Sequence, residues 1–237
     1  MKPLCIIMLF LSVTLSQAQT FIKIPNDTTI ITEYNDGKLW AYRDINNFVV
    51  GLTCYEEKDD YGKYYQVQIF IQNLSKSPIT FSPEEVTSSL QRKKDTLNLK
   101  VYTNDEFQKK IKRSQTLAMT LYGISTGINA GMAGHSTSYS TTYSSNGYAH
   151  TTITQHYDAN AAFQANTASV HQLLTLGQMM DNDRTIKEQG YFKKTTIHPD
   201  EAVIGYMNIK RKKGNILTIN IPINDFMYSF DWDVSKK

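Results

Sequence analysis

Histidine and acidic side chains are the groups of this chain whose types could hold a metal ion or transfer protons. The histidines are His135, His150, His156, His171 and His198. No two of them have the His-x-x-x-His spacing that places two ligands on one helix face, and no Cys-x-x-Cys accompanies them. Asp181-Asn182-Asp183 lacks the glycine and the terminal glutamate of a calcium-binding loop. We therefore expect no metal site and no cofactor, with weak metal binding by the loop histidines as the less favoured alternative.

Cys54 is the one cysteine that follows the first 18 residues, and it is the obvious candidate nucleophile. It alternates with Phe48, Val50 and Leu52, a pattern that predicts a thiol buried in a β-strand rather than a reactive one. A single cysteine cannot form an internal disulfide, so packing must hold the core. We expect no catalytic residues, and an enzyme of unrecognised type stands as the third-ranked functional hypothesis.

The first 18 residues have the features of a secretory signal. Lys2 is followed by an apolar run from Leu4 to Leu15, and Ser16-Gln17-Ala18 places small residues at the cleavage positions. We expect cleavage after Ala18 and export to the periplasm or the cell exterior, with an uncleaved anchor as the alternative. The remaining residues, 19–237, would then form a single β-sandwich domain.

The charge of the chain gives little information about its partners. A formal net charge of +3 over 237 residues is too small to indicate nucleic-acid binding. Basic residues cluster at Arg92-Lys93-Lys94, at Lys109 to Arg113 and at Lys210 to Lys213. Solvated turns and helix faces explain these clusters, and the functional alternative is contact with anionic head groups or polysaccharide.

Most of the chain alternates apolar and polar residues with the period of a β-strand. Tyr65, Val67, Ile69 and Ile71 alternate with mostly polar neighbours, which predicts one buried and one wet sheet face. The last strand places Phe226, Tyr228, Phe230 and Trp232 on a common face. Seven to nine such strands predict a mainly β fold, specifically an immunoglobulin-like β-sandwich.

A helical pattern interrupts the strands at about 104–190. Thr103 and Glu106 form a capping box, Asp158 is a candidate N-cap for a second helix, and Gly190 is a candidate stop. We therefore predict a long two-helix hairpin inserted into the β domain. Gly123, Gly127 and Gly131 lie four residues apart on the first helix, which predicts close packing against the second helix. A membrane or oligomer face is the alternative for these glycines.

Between the two helices lies a Ser/Thr/Tyr-rich tract within a charge-free segment of 44 residues, Ser114 to Tyr157. It lacks the aliphatic content of a packed core, so we predict a flexible, exposed tip at 134–156. Tyrosine and serine in such loops combine aromatic contact area with adaptable hydrogen bonds. The candidate binding residues at the tip are Tyr139, Tyr143, Tyr148, His150 and His156.

Two motifs carry a resemblance to a known group of proteins. The segment from Tyr65 to Asn73, followed by Ser77-Pro-Ile-Thr-Phe81, resembles the strand–turn–strand of secreted bacterial immunoglobulin-like domains. Pro199-Asp-Glu-Ala-Val-Ile-Gly205 is similar to a Pro-Gly-Glu-x-x-x-Gly turn of such domains, with Asp200 in place of the glycine. The layout resembles uncharacterised exported proteins of Gram-negative bacteria, a resemblance that implies a fold and no activity.

The sequence favours a non-enzymatic, exported binding or scaffolding module of the bacterial cell envelope. The expected partner is an envelope protein or a polysaccharide, whose identity the sequence does not give, and we expect no nucleic-acid partner. The main alternative is a membrane-active protein that inserts the glycine-rich, charge-free segment, so membrane contact is the less favoured expectation. The oligomeric state is left open.

Overall fold

The computed structural model describes residues 20–22, 29–143 and 149–235. The chain is mainly β, with 48% of residues in strands and 32% in helices, and its sheets are antiparallel. The predicted signal, residues 1–18, and the tip residue Tyr148 lie outside the described residues.

The larger sheet has six strands. In spatial order, with strands numbered along the chain, they are β2 (Ile30–Asn35), β3 (Lys38–Ile45), β4 (Phe48–Asp59), β5 (Gly62–Asn73), β13 (Ala202–Lys210) and β9 (Val101–Tyr102). The β4–β5 pair is the longest and turns at Asp60-Tyr61. Tyr61 of this turn contacts both helices.

The second sheet has five strands, in the order β1 (Thr20–Phe21), β15 (Phe226–Asp233), β14 (Ile216–Ile223), β7 (Thr87–Gln91) and β8 (Thr96–Leu99). A two-stranded sheet pairs β12 (Thr195–Ile197) with β6 (Ile79–Phe81), and a 3-10 turn follows at Pro83–Glu85. Strand β7 has a weak sequence pattern, because Ser88 and Ser89 interrupt its apolar alternation.

One apolar core lies between the two larger sheets. Alternate residues of β5 and β14 are fully buried and belong to a single cluster; they include Val67, Ile69, Ile71, Leu217, Ile219 and Ile221. Hydrogen bonds also join the sheets: Arg43 Nε donates to the Ser229 carbonyl at 2.8 Å, and the Tyr228 hydroxyl donates to the Ile45 carbonyl at 2.7 Å. Hereafter this β part is called the body.

Cys54 is buried in β4, as the strand pattern predicts. Burial raises the pKa of its thiol, with a smaller contribution from the nearby Glu56 carboxylate. The thiolate that a nucleophile needs is therefore disfavoured at neutral pH.

Two long helices leave the body after β9 and return before β12. Helix α1 spans Asn104–Ala133 and α2 spans Ala159–Gln189, close to the predicted hairpin at 104–190. The predicted capping box is present: Thr103 Oγ1 accepts from the Glu106 amide at 3.3 Å, and the Thr103 amide donates to Glu106 Oε2 at 3.2 Å. At 1.5 Å per residue each helix is about 45 Å long. We call residues 104–189 the arm.

Two glycines of α1, Gly123 and Gly127, do not have the close helix packing that the sequence predicts. A Cβ built on Gly127 meets no described atom within 4 Å, and one on Gly123 meets only Leu173 Cδ2, at 4.0 Å. Gly131 lies in the same helix. The tight approach is instead at Gly134, where a Cβ would lie 2.8 Å from the Asp158 carbonyl oxygen and 2.9 Å from the Cβ of Ala162. Spacing alone identified a helix face but not what that face contacts.

The tip also differs from the predicted loop. Strands β10 (His135–Tyr143) and β11 (Ala149–Tyr157) form an antiparallel two-stranded hairpin at the end of the arm. Threonine and tyrosine favour extended backbone, a preference that the prediction from composition left out. The exposure predicted for the tip is found for every residue of 135–141 and 153–157.

Candidate functional site

The tip hairpin has two chemically different faces. Because side chains alternate along a strand, Tyr139 shares a face with Ile153 directly across the ladder, and with Tyr157 and His135 at the arm end. The rings of His135 and Tyr157 lie 4.9 Å apart. Tyr139 is 71% exposed and Ile153 is 60% exposed. We call these four residues the aromatic face.

The opposite face carries small hydroxyl side chains. Ser136 and Ser138 lie there, opposite His156 and Thr154 in the register. The Ser138 hydroxyl donates to the Thr154 carbonyl at 3.5 Å, a long hydrogen bond. Among the residues whose side chains are described, this face offers hydrogen-bonding groups and the imidazole of His156, but no large apolar side chain.

The structure separates the residues that the sequence grouped as a binding site. Tyr139 and His156 lie on opposite faces of the hairpin. In the backbone register Tyr143 pairs with Ala149, and His150 pairs with Thr142, while Tyr148 lies outside the described residues. Tyr139 and His156, the two predicted residues whose side chains are described, therefore do not share a face.

Ile153 and Tyr157 are the tip residues that the sequence analysis missed. Their signal was present in the chain: Ser136, Ser138 and Ser140 alternate with larger residues, and Asn146-Gly147 is a dipeptide typical of hairpin turns. Reading this tract with period two would have placed Ile153 beside Tyr139.

The backbone of the tip is itself a recognition feature. A two-stranded hairpin has an unpaired edge on each strand, and such edges can pair with a further strand unless charge or proline blocks them. The segment from Ser114 to Tyr157 contains neither a charged residue nor a proline. Isolated two-stranded hairpins are marginally stable in water, so an added strand or an apolar surface would stabilise this one.

Where the arm meets the body, Tyr61 from the β4–β5 turn connects both helices. Its hydroxyl donates to Asp183 Oδ2 of α2 at 2.6 Å and accepts from Gln115 Nε2 of α1 at 3.0 Å. Gln115 Nε2 also donates to the Met180 carbonyl at 2.7 Å, and Lys110 Nζ donates to the Tyr61 carbonyl. Burial and the hydrogen bond to Asp183 raise the pKa of Tyr61 to about 12. The hydroxyl is therefore neutral at physiological pH, and this cluster is a structural joint.

Two of the predicted basic clusters meet where the β7–β8 turn lies beside the residues that precede β14. A shallow cavity of about 680 Å³ lies there; its lining residues are Arg92, Lys93, Lys94, Asp95, Lys213, Gly214 and Asn215. Arg92 Nη2 pairs with Asp95 Oδ2 at 2.6 Å, which leaves three lysines as the excess charge. The third basic cluster lies on α1 instead, where Lys110 contacts Tyr61 and Tyr64.

One sequence pattern typical of hydrolases escaped the sequence analysis. Gly123-Ile124-Ser125-Thr126-Gly127 has the Gly-x-Ser-x-Gly spacing of a nucleophile elbow. An elbow requires a sharp strand-to-helix turn, and these residues lie in the middle of α1. Ser125 is exposed on a regular helix. Over the described residues there is also no group of three or more His, Cys, Asp or Glu side chains that could hold a metal ion.

The chain matches no protein-family model, no curated protein and no solved structure. Neither α1 nor α2 has, in the residues described, the length and apolar character of a helix that crosses a bilayer.

Proposed function

We propose that this chain is a non-enzymatic binding or scaffolding module of the bacterial cell envelope. In this proposal, a cleaved signal exports it to the periplasm or the cell exterior. The body, an immunoglobulin-like β-sandwich, is the base, and the arm presents the tip to an envelope protein. The observation that supports the proposal is the aromatic face, which is exposed at the end of an arm about 45 Å long.

The arm gives the tip its distance from the body. Each hydrogen bond described for residues 116–179 joins two residues of the arm, as in the contact of the Tyr122 hydroxyl with Gln172 Oε1 at 3.0 Å. The tip can therefore contact a partner while the body contacts another surface. That arrangement suits a scaffold better than a closed catalytic pocket.

The aromatic face has the chemistry of a protein-binding surface. Tyrosine supplies a large, rigid contact area and loses little conformational entropy on binding. The partner expected from this face and from the uncharged strand edges is a protein with an extended, apolar segment.

Substitutions on the two faces test the proposal in matched pairs. Tyr139→Ser combined with Ile153→Thr removes the two large side chains that pair across the middle of the aromatic face. Both new residues are compatible with a strand. The control, Ser138→Ala combined with Thr154→Ala, changes the opposite face. Affinity capture from a solubilised cell envelope would use the full chain and both variants in parallel.

We expect the wild-type chain and the control to enrich the same envelope protein, and the aromatic-face variant to lose at least about 90% of it, as hot-spot truncation predicts. Equal enrichment by all three chains would contradict the proposal. Circular dichroism spectra of the variants check that the helices and strands are intact.

The basic cavity supports polysaccharide as a second candidate partner. Three lysines without a described acidic partner in the cavity attract phosphate, sulfate or carboxylate groups of a glycan. Lys93→Glu combined with Lys213→Glu should abolish retention on an immobilised anionic polysaccharide. Unchanged retention at low salt would remove this candidate.

A further inference from the structure

Helix α1 carries a continuous row of large apolar side chains that the arm itself does not cover. The row consists of Leu117, Leu121, Ile124, Ile128 and Met132, each 57% to 67% exposed. We call it the seam. A monomeric soluble protein rarely exposes a contiguous apolar surface of this kind, and such surfaces mark interaction sites.

The seam lies on the side of α1 opposite to α2. Gln115 and Met119 face α2: Gln115 contacts the Met180 carbonyl, and Met119 Cε lies 3.8 Å from a Cβ built on Gly177. At about 100° per residue, Leu117 is rotated by about 180° and Leu121 by about 140° from the mean direction of these two contacts. The pairing of α1 with α2 therefore leaves the seam fully outward.

The seam has the spacing of a two-helix interface. Its first four members are separated by four, three and four residues, which is the alternation of a coiled-coil core. The positions that flank this core are Ala118, Thr120, Ser125 and Gly127. All four are small and uncharged, and Gly127 has open space beside it. A second helix could therefore approach α1 closely along this line.

We infer that the seam is the contact surface between two copies of this chain, with α1 of one copy packed against α1 of the other. The inference goes beyond the proposed function and does not depend on the tip. A seam paired with its own copy is isologous: the same residues are contributed by both chains, as in the commonest class of oligomer.

The exposed area is in the range that a dimer requires. Five large side chains that are more than half exposed, with their small neighbours, would bury about 1,200 Å² in total when two copies meet. That value is at the lower end of specific interfaces. We therefore expect a dimer that forms at micromolar rather than nanomolar concentration.

The absence of charge favours a second copy over a different protein. Partner helices in coiled coils are selected mainly by charged residues beside the apolar core. From Ser114 to Tyr157 this chain has none. An uncharged, apolar surface is complementary to itself, and no like charges oppose its self-association.

The first test measures the mass of the full chain by sedimentation velocity at protein concentrations from about 1 to about 100 µM, the range in which we expect the dimer to form. Leu121→Glu places a carboxylate in the seam. Leu174→Glu is the matched control, because Leu174 is a leucine on α2 with almost the same exposure, 62% against 60%. We expect wild type and Leu174→Glu to dimerise alike, and Leu121→Glu to weaken dimerisation at least about 100-fold.

A second test needs no destabilising charge. Cys5→Ser removes one of the two native cysteines, and the other, Cys54, is buried. An engineered surface cysteine is then the reactive thiol. Mild oxidation should link two copies through Ile124→Cys, and it should not link them through Gln164→Cys on the exposed side of α2.

Three results would overturn the inference: a wild-type chain that is monomeric at 100 µM, two leucine variants that dimerise equally, or crosslinking that is equal at both cysteines. Co-sedimentation of the monomeric wild-type chain with phosphatidylglycerol vesicles, lost in Leu121→Glu, would also overturn it. That result would assign the seam to a lipid surface.

Discussion

The body and the arm bury their apolar residues to very different extents. In the body, whole faces of β5 and β14 have no exposed surface, and Trp232 is fully buried. In the arm, helix α2 has no buried residue over its 31 positions. The large apolar side chains that α1 buries are Phe107 and Ile111, both in its first turns. The chain therefore contains one region whose apolar surface is satisfied internally and one whose apolar surface is available to partners.

This difference indicates how each region is stabilised. The body relies on hydrophobic burial, the dominant favourable contribution to folding. The arm relies on capped helix ends, local helix propensity and a polar joint at Tyr61, which are each worth about 1 kcal/mol. Changes in the body should therefore affect global stability, and changes in the arm should act locally or on binding.

The largest expected effect is alkaline unfolding of the body. Burial raises the pKa of Tyr65, Tyr206 and Tyr228 to about 12 each. The unfolded chain loses these protons near pH 10, so it binds fewer protons than the folded chain above that pH. The stabilisation that these three tyrosines contribute is therefore complete below about pH 10, and it is lost as the pH rises towards 12.

Absorbance at 295 nm and circular dichroism, followed together, measure this effect. We expect a group of tyrosines to ionise only as the β signal disappears. If all tyrosines ionise near pH 10 while the fold is intact, burial in the body does not raise the pKa of these tyrosines. Tyr228→Phe should reduce the slope of stability against pH.

The next effect compares identical substitutions in the two regions. Ile69→Ala, at a fully buried position of the body, should reduce the free energy of unfolding by about 3 kcal/mol. Ile186→Ala, at a position of α2 that is 69% exposed, should change it by less than about 0.5 kcal/mol. Urea unfolding followed by the fluorescence of Trp40 and Trp232 measures both. Similar losses would mean that the arm contributes to the global core.

A substitution at Gly134, where the ends of the two helices approach closely, should have a smaller, local effect. Gly134→Ala forces a Cβ to within 2.8 Å of the Asp158 carbonyl oxygen and of Tyr157 Cε2. The backbone of Gly134 is right-handed and accepts alanine, so strain at the contact is the cause. We expect a loss of about 2 kcal/mol. Hydrogen exchange at the tip-proximal ends of α1 and α2 should accelerate, while exchange in β5 should not.

The joint at Tyr61 can be tested by removing a single oxygen atom. Tyr61→Phe deletes the hydrogen bonds to Asp183 and Gln115, and we expect a loss of about 1.5 kcal/mol in the local stability of the helix bases. The control is Tyr122→Phe, whose exposed hydroxyl contacts only Gln172 among the described residues. Native-state hydrogen exchange of residues 108–118 and 176–186 is the measurement. Equal effects of the two variants would refute a special role for Tyr61.

The smallest effect should be stabilising. Gly127→Ala adds a methyl group where no described atom lies within 4 Å, and alanine favours helix by about 1 kcal/mol over glycine. The substitution is best made in the Leu121→Glu background, so that contact between copies does not mask it. A thermal melt followed at 222 nm measures the gain. A decrease in stability would indicate that Gly127 packs closely against α2, as the sequence predicts.

Local signals in the sequence predicted the elements correctly where one physical rule governed them. The alternation of β5 gave its buried face, and the capping box gave the start of α1 within one residue. These signals succeed because hydrophobic period and end-capping depend on residues close in sequence. They could not give the order of strands in the sheets, which depends on distant pairing.

The predictions that differ from the structure were made from spacing or composition without knowledge of three-dimensional contacts. Four-residue spacing places Gly123 and Gly127 on neighbouring positions of one helix, but it does not identify the neighbour. Serine and threonine content predicted a loop at the tip, although the same residues alternate as in a strand. The joint at Tyr61 joins residues more than 50 positions apart, so no local pattern could reveal it.

The contacts of the β4–β5 turn with both helices lie at the helix bases, so the length of the arm beyond them can change. Gln115 and Met180 mark the height at which the helices leave the body, and they contact each other at 2.7 Å. Inserting or deleting two turns in both helices would shift the tip by about 10 Å with the two strands of the β4–β5 pair unchanged. Such changes in helix length would set the distance between the tip and the body without altering either one.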